Sequence, residues 1–143
     1  IHQKMTLDSA VQRMADELKR VRPFESLPMQ ALRQLAVSVH MDFFEGLDAL
    51  EPNAEPATSY YIVLRGAFIL RQGSEVIGHH KGPAILGWNE AMHGQISEFE
   101  VLFTEESVVL EMPVSETRYL LGQFPELETF MDSSCGYVVQ MAD

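Results

Sequence analysis

Four residues of types that bind metal ions lie close together in the sequence: His79, His80, Glu90 and His93. Imidazole and carboxylate groups ligate transition metals, and a metal-dependent enzyme would need several of them to converge on one point. Adjacent residues of a strand point to opposite faces, so His79 and His80 cannot both face one site unless the strand is distorted. The spacing therefore favours surface or core histidines over a metal site.

Other signals of catalysis are absent from the sequence. It has no glycine-flanked nucleophilic serine, no P-loop and no pair of carboxylates with a spatial reason to act together. Its single cysteine, Cys135, has no histidine and acid nearby in the sequence to activate a thiolate. The sequence therefore predicts a protein that is not an enzyme and needs no cofactor.

Positive charge is nearly absent from the second half of the chain. Residues 1–81 hold nine Lys/Arg and ten Asp/Glu, whereas residues 82–143 hold a single cation, Arg118, against eleven acids. Because Lys and Arg contacts to phosphate supply most of the affinity for nucleic acids, we do not expect this segment to bind DNA or RNA directly. The same field opposes the approach of any anionic small ligand.

The length of 143 residues, with 46% apolar and 22% charged residues, is typical of one globular domain over residues 1–143. No apolar run approaches the roughly 20 residues that span a bilayer, and the N-terminus has no apolar signal core. We therefore expect a cytoplasmic location and no contact with a membrane. The chain begins at Ile1 and ends in an apolar phrase, which we interpret as a domain excised from a longer protein.

Apolar residues at spacings of three and four predict helices at both ends of the chain, over Leu7–Val21, Met29–Val39, Ser115–Gly122 and from Pro125 onward. Between them, short apolar runs punctuated by glycines predict strands. These cover His40–Phe44, Leu47–Leu50, Tyr60–Arg65, Phe68–Gln72, Glu75–His79, Phe99–Thr104 and Val108–Met112. Seven or eight strands between helices indicate an α+β fold, a double-stranded β-helix (jelly-roll) barrel flanked by N-terminal and C-terminal helices.

Several phrases of the sequence stand in a recognisable order and spacing, namely Phe24–Pro28, the glycine-containing phrase Tyr61–Leu70, Leu110–Pro113 and Phe124–Leu127. Together they resemble cyclic-nucleotide-binding domains. The resemblance covers roughly residues 22–131, which would form the core of the domain.

In that family the phosphate site is a glycine-glutamate turn, a short helix and, about ten residues after the glycine, an arginine. Carried onto this sequence, the resemblance implies a ligand-binding set over one segment, namely Gly87, Trp88, Asn89, Glu90, Ala91, Ser97 and Glu98. Trp88 stands at the glutamate position, where it would stack on a ligand base or, as we favour, pack in the core. Ser97 or Glu98 stands at the arginine position. The missing pairing is worth about 1.5–3 kcal/mol, which argues against ordinary cAMP or cGMP binding.

The resemblance implies a regulatory sensor module in bacterial-type signal transduction. Its partners would be a nucleotide or other small ligand, a second copy bound through a C-terminal helix over residues 125–142, and an output domain outside this chain. That output would be a DNA-binding helix-turn-helix, as in catabolite-activator-type transcription regulators, or a nucleotidyltransferase-like catalytic domain. Two alternatives remain: a pseudo-sensor for dimerisation or docking that binds no small ligand, and a cupin-like metalloenzyme.

Overall fold

The structure is a computed structural model that describes residues 2–51, 54–133 and 136–141. The chain divides into a helical unit, residues 1–39 and 115–133, and a β unit, residues 40–114 and 134–143. Cys135 lies outside the described residues.

The helical unit contains α1 (His2–Lys19), a 3-10 turn (Phe24–Ser26), α2 (Met29–Ala36) and, after the β unit, α4 (Val114–Gln123) and α5 (Pro125–Ser133). Pro28 lies at the N-cap of α2 in extended backbone, so the second helix begins directly after it. The face of α2 that carries Leu32 and Leu35 is buried, as is Leu18 of α1. None of the helices in the described residues is long and apolar enough to cross a bilayer.

The β unit consists of two antiparallel sheets. The first has the strand order β1-β8-β3-β6-β9 and the second β2-β7-β4-β5. The strands are β1 (His40–Phe44), β2 (Ala49–Leu50), β3 (Ser59–Arg65), β4 (Ala67–Gln72), β5 (Glu75–Lys81), β6 (Ala84–Leu86), β7 (Phe99–Phe103), β8 (Ser107–Pro113) and β9 (Val138–Gln140), with the short helix α3 (Trp88–Met92) between β6 and β7. Val63 and Leu86 of the first sheet share a buried cluster with Phe68 and Phe103 of the second. The α+β jelly-roll architecture with flanking helices is therefore confirmed.

The chain departs from the expected C-terminal helix after residue 133. A single helix over residues 125–142 is wrong, because α5 ends at Ser133 and Val138–Gln140 form β9. Gly136 has a φ of +88°, which a helix does not contain, and the β-branched pair Val138 and Val139 favours a strand. β9 pairs with β6, so residues 138–140 form an edge strand of the first sheet.

Candidate functional site

A cavity of about 220 Å³ lies in the β unit beside the start of α3. Its walls come from β3, the residues before it, the α3 region, β8 and the segment that leads into β9. The lining residues are Leu50, Glu51, Glu55, Pro56, Ala57, Thr58, Ser59, Tyr61, Gly87, Glu90, Ser97, Glu111 and Tyr137. Ligand pockets commonly have volumes of about 300–1,000 Å³, so this cavity is small for a drug-sized ligand.

Three of the seven residues in the expected ligand-binding set line this cavity: Gly87, Glu90 and Ser97. The other four, Trp88, Asn89, Ala91 and Glu98, lie outside its lining. Trp88 and Ala91 are core residues, and the Trp88 ring meets Tyr60 edge-on at a centroid distance of 4.9 Å.

Asn89 and Glu98 make contacts outside the cavity lining. The backbone carbonyl of Asn89 accepts the N–H of His93 at 3.1 Å, which is a hydrogen bond at the end of α3 and does not fix the Asn89 side chain. Glu98 is exposed, and its Oε2 accepts a hydrogen bond from Gln72 Nε2 at 3.1 Å, which points its carboxylate away from the cavity. Of the two candidates for the arginine position, Ser97 is thus the one that faces the cavity.

Gly87 forms the turn between β6 and α3, and its N–H group is hydrogen-bonded within the chain. Its φ of +74° is left-handed, a conformation that glycine adopts without steric cost. The Gly87 N–H donates to the carbonyl of Tyr137 at 2.9 Å. A Cβ at Gly87 would lie 3.4 Å from Tyr137 Cε1, so the glycine also permits the close approach of that ring.

Tyr137 is the main site residue that sequence reasoning missed. Its ring lies against Phe99 at a centroid distance of 4.9 Å, and its hydroxyl is hydrogen-bonded by Ser97. Next along the chain, Val138 pairs with Leu86 of β6, and the Met141 N–H donates to Pro83 O at 2.9 Å. The C-terminal segment therefore contributes the Tyr137 side chain to the lining of the cavity, and its backbone pairs with the edge of β6. The only signal for it in the sequence was the Val138-Val139 pair after Gly136.

The described lining of the cavity is acidic and holds no lysine, arginine or histidine. It includes four carboxylates, those of Glu51, Glu55, Glu90 and Glu111. Burial, reinforced by the negative charge of Glu111, raises the pKa of Tyr61 from 10 to about 12, and the Tyr61 hydroxyl donates to Glu111 Oε2 at 3.4 Å. Burial also raises the pKa of Tyr137, to which the charge of Glu90 adds and which the Ser97 hydrogen bond opposes. Both phenols are therefore held neutral in a negative environment.

Alkaline pH is expected to weaken the fold through these phenols. The raised pKa of Tyr61 means that the neutral phenol stabilises the folded chain below pH 10 and that this contribution is lost as the pH rises to about 12. Because Tyr61 is partly exposed, we expect solvent screening to reduce the loss to about 1 kcal/mol. Urea denaturation of wild type and Tyr61→Phe, below pH 10 and near pH 12, measures it. An equally steep decline in both proteins would assign the alkaline loss to other groups.

The histidines that raised the metal hypothesis are scattered in the structure. His80 stacks on Phe68 at a centroid distance of 5.4 Å, His79 is exposed, and His93 Nδ1 lies 2.8 Å from the carbonyl of Asn89. Among the side chains that the structure describes, no three of His, Cys, Asp or Glu are grouped to hold a metal ion. No contact of these histidines in the structure supports the cupin-like alternative.

No family model matches the sequence, and no curated protein matches it either. Solved structures do match over most of the chain. The C-linker/CNBHD of zELK channels, crystallized in the presence of cAMP, has a TM-score of 0.67 at 18% identity over 88% of this chain. The cAMP-bound PfPKA-R has a TM-score of 0.70 at 12% identity over 87%, and the sensor domain of the transcriptional regulator DNR from Pseudomonas aeruginosa 0.70 at 14% over 83%.

The chain has the fold of cyclic-nucleotide-binding domains. TM-scores of 0.67–0.70 establish this fold, whereas identities of 12–18% leave the ligand open. The chain spans 67% of the zELK fragment, 44% of PfPKA-R and 88% of the DNR sensor domain. In the cyclic-nucleotide-binding fold of this chain, the acidic cavity beside Gly87 is the candidate ligand site, and Tyr137 lies within it.

Proposed function

We propose that this chain is a non-catalytic regulatory module of the cyclic-nucleotide-binding fold whose ligand cavity is narrowed by its own C-terminal segment. Residues 1–143 would act together as one module, and its output would come from another domain or partner. The observation that carries the proposal is the position of Tyr137, whose carbonyl accepts the Gly87 N–H while its side chain lines the cavity. This is the pseudo-sensor alternative, in which no small ligand binds; in this chain, Tyr137 takes up part of the space at the cavity.

Charge supports a cavity that excludes cyclic nucleotides. A cyclic phosphate would bring its negative charge among four glutamates, and the described lining offers no cation to offset it. Two like charges about 4 Å apart repel by about 4 kcal/mol at an effective dielectric of about 20. Ser97, at the place of the missing arginine, lines the cavity together with Tyr137 and supplies no positive charge.

Space supports the same conclusion. The volume that remains beside Tyr137 is about 220 Å³, below the common range for ligand pockets of about 300–1,000 Å³. A ligand that needed more room would have to displace the Tyr137 ring and break its contact with Phe99. The free energy needed to move Tyr137 would lower the apparent affinity of the chain for any such ligand.

The chain is expected to show no saturable binding of cAMP or cGMP by isothermal titration calorimetry at ligand concentrations up to about 1 mM. A Kd of about 1 mM corresponds to a binding free energy of about −4 kcal/mol. Tyr137→Phe, which retains the ring, is the matched variant and is expected to behave like wild type. A micromolar Kd for either nucleotide in the wild-type chain would show that the cavity is a conventional nucleotide site, and the proposal would be wrong.

A further inference from the structure

The first sheet exposes an aromatic ring at the end of β1. Phe43 is 73% exposed, and Leu47, in the turn after β1, is 83% exposed, which makes them the most exposed large apolar side chains in the described part of the chain. Phe43 lies opposite Val108 of β8, and Val108 lies opposite Arg65 of β3. The next residue of β8, Val109, belongs to the buried cluster between the sheets, so Val108 and its two neighbours point away from that cluster.

The row of Phe43, Val108 and Arg65 lines a groove of about 530 Å³, a volume common for binding sites. Three glutamates that directly follow β1 or directly precede β8 line it as well, namely Glu45, Glu105 and Glu106. Because β1 and β8 are antiparallel, these glutamates come to the same end of the sheet. Phe43 and the glutamates are all exposed, so a partner can reach them without any movement of the chain.

The carboxylates of the groove have no partner in the part of the chain that the structure describes. Glu45 is hydrogen-bonded through its backbone N–H and carbonyl, and Glu105 through its carbonyl. None of the three glutamates takes part in an ion pair between described residues, and neither does Arg65. Three carboxylates and one guanidinium give the lining a net charge of −2. The groove is therefore complementary to a cation beside an apolar group.

The turn after β1 is fixed by hydrogen bonds before any partner binds. The Leu47 N–H donates to Phe103 O at 2.8 Å, and the Phe103 N–H donates to Asp48 O at 2.9 Å. The Asp48 Oδ2 accepts the Glu45 N–H at 2.8 Å. These bonds hold Leu47 at a φ of +80°, a conformation that L side chains rarely adopt. A surface that is already ordered loses little conformational entropy when a partner binds.

Arginine matches this combination of groups better than lysine does. Its planar guanidinium stacks on an aromatic ring and pairs with carboxylates through two parallel hydrogen bonds, whereas an ammonium group is a strongly hydrated point charge. An apolar residue next to the arginine would cover Val108 and the exposed face of Phe43. A patch of apolar residues with a polar rim is typical of a protein interaction site.

We infer that the groove at the end of β1 and β8 is a docking site for a segment of a partner protein in which arginine stands beside leucine or another apolar residue. The arginine pairs with the glutamates and stacks on Phe43, and the apolar residue packs on Val108. This inference goes beyond the proposed function, because the groove and the cavity beside Gly87 share no lining residue.

Fluorescence anisotropy of a labelled Ala-Leu-Arg-Arg-Leu-Ala peptide with the full chain tests the inference. In an extended peptide of this sequence, each side presents one leucine and one arginine. Saturable binding is expected, and it should weaken as the salt concentration rises. Phe43→Ala and the double variant Glu45→Gln/Glu106→Gln are each expected to weaken it about 5- to 30-fold. Both replace exposed side chains, and circular dichroism checks that each variant is folded.

Matched controls come from β5, which lies outside the groove. Val76→Ala removes an apolar side chain that is 49% exposed, and Glu75→Gln removes an exposed carboxylate, so both should leave the affinity unchanged. The peptide Ala-Leu-Glu-Glu-Leu-Ala should not bind. Absence of saturable binding to wild type would overturn the inference, as would equal losses from the β5 variants or equal binding of the glutamate peptide. A dimer in analytical ultracentrifugation that Phe43→Ala dissociates would identify a second copy as the occupant and overturn the separate partner.

Discussion

Gly66→Ala is expected to lower the free energy of unfolding by more than about 4 kcal/mol, a large fraction of the 5–15 kcal/mol that stabilises a typical domain. Gly66 joins β3 to β4 with a φ of +124°. A Cβ at this position would lie 1.9 Å from Ser107 Oγ and 2.8 Å from Ser107 Cα. The substitution therefore combines backbone strain with a clash that no rotation of the serine side chain can relieve.

The neighbourhood of Gly66 also has little freedom to move. Ser107 is 2% exposed, and its hydroxyl donates to Glu105 O at 2.9 Å. The carbonyl of Gly66 accepts the Gly82 N–H at 2.9 Å, so a shift of the turn would also break this contact between strands. Urea denaturation followed by circular dichroism measures the loss.

Gly73→Ala is the control for the strain alone, because Gly73 has a φ of +62° and a Cβ added there would have no atom within 4 Å. Its expected cost is about 1–2 kcal/mol. The double variant Gly66→Ala/Ser107→Gly should recover part of the loss by removing the serine side chain. If Gly66→Ala costs no more than Gly73→Ala, the close approach to Ser107 does not limit the fold.

Local patterns in the sequence were sufficient to predict most of the strands. β3 alternates between buried and less buried residues, and glycines separate β3 from β4 and β4 from β5. β6 was missed because Ala84–Leu86 are all buried and show no alternation, and three residues are too few to distinguish strand from helix. β9 was missed because its conformation depends on pairing with β6, whose residues lie more than 50 positions earlier in the chain.

The candidate site was predictable where it depends on a local segment. The resemblance located Gly87, Glu90 and Ser97, which do line the cavity. Tyr137 could not be placed from its neighbours, since an aromatic residue among apolar ones fits a helix as well as a strand. The long-range hydrogen bond from the Gly87 N–H to the Tyr137 carbonyl helps to hold Tyr137 at the cavity, and one sequence contains no pattern that reveals such a contact.

The second large effect is expected from restoring the missing cation. Ser97→Arg combined with Tyr137→Ala should bind cAMP about 10- to 150-fold more tightly than Tyr137→Ala alone, because a charge-assisted hydrogen bond contributes about 1.5–3 kcal/mol. The alanine removes the ring from the cavity, and the arginine replaces a hydroxyl that lines it. The guanidinium would also offset part of the charge of Glu90 and its three companion carboxylates. Calorimetric titration with cAMP measures both variants.

Glu98→Arg in the same Tyr137→Ala background is the matched control. It changes the net charge by +2, more than Ser97→Arg does, but Glu98 is exposed and its carboxylate contacts Gln72 outside the cavity. Because exposed charges are screened within about 8–10 Å at physiological salt, this variant should gain much less affinity. Equal gains from both arginines would mean that net charge alone excludes the nucleotide. A gain confined to Ser97→Arg would show that position 97 faces the phosphate and that the missing cation at this position weakens nucleotide binding.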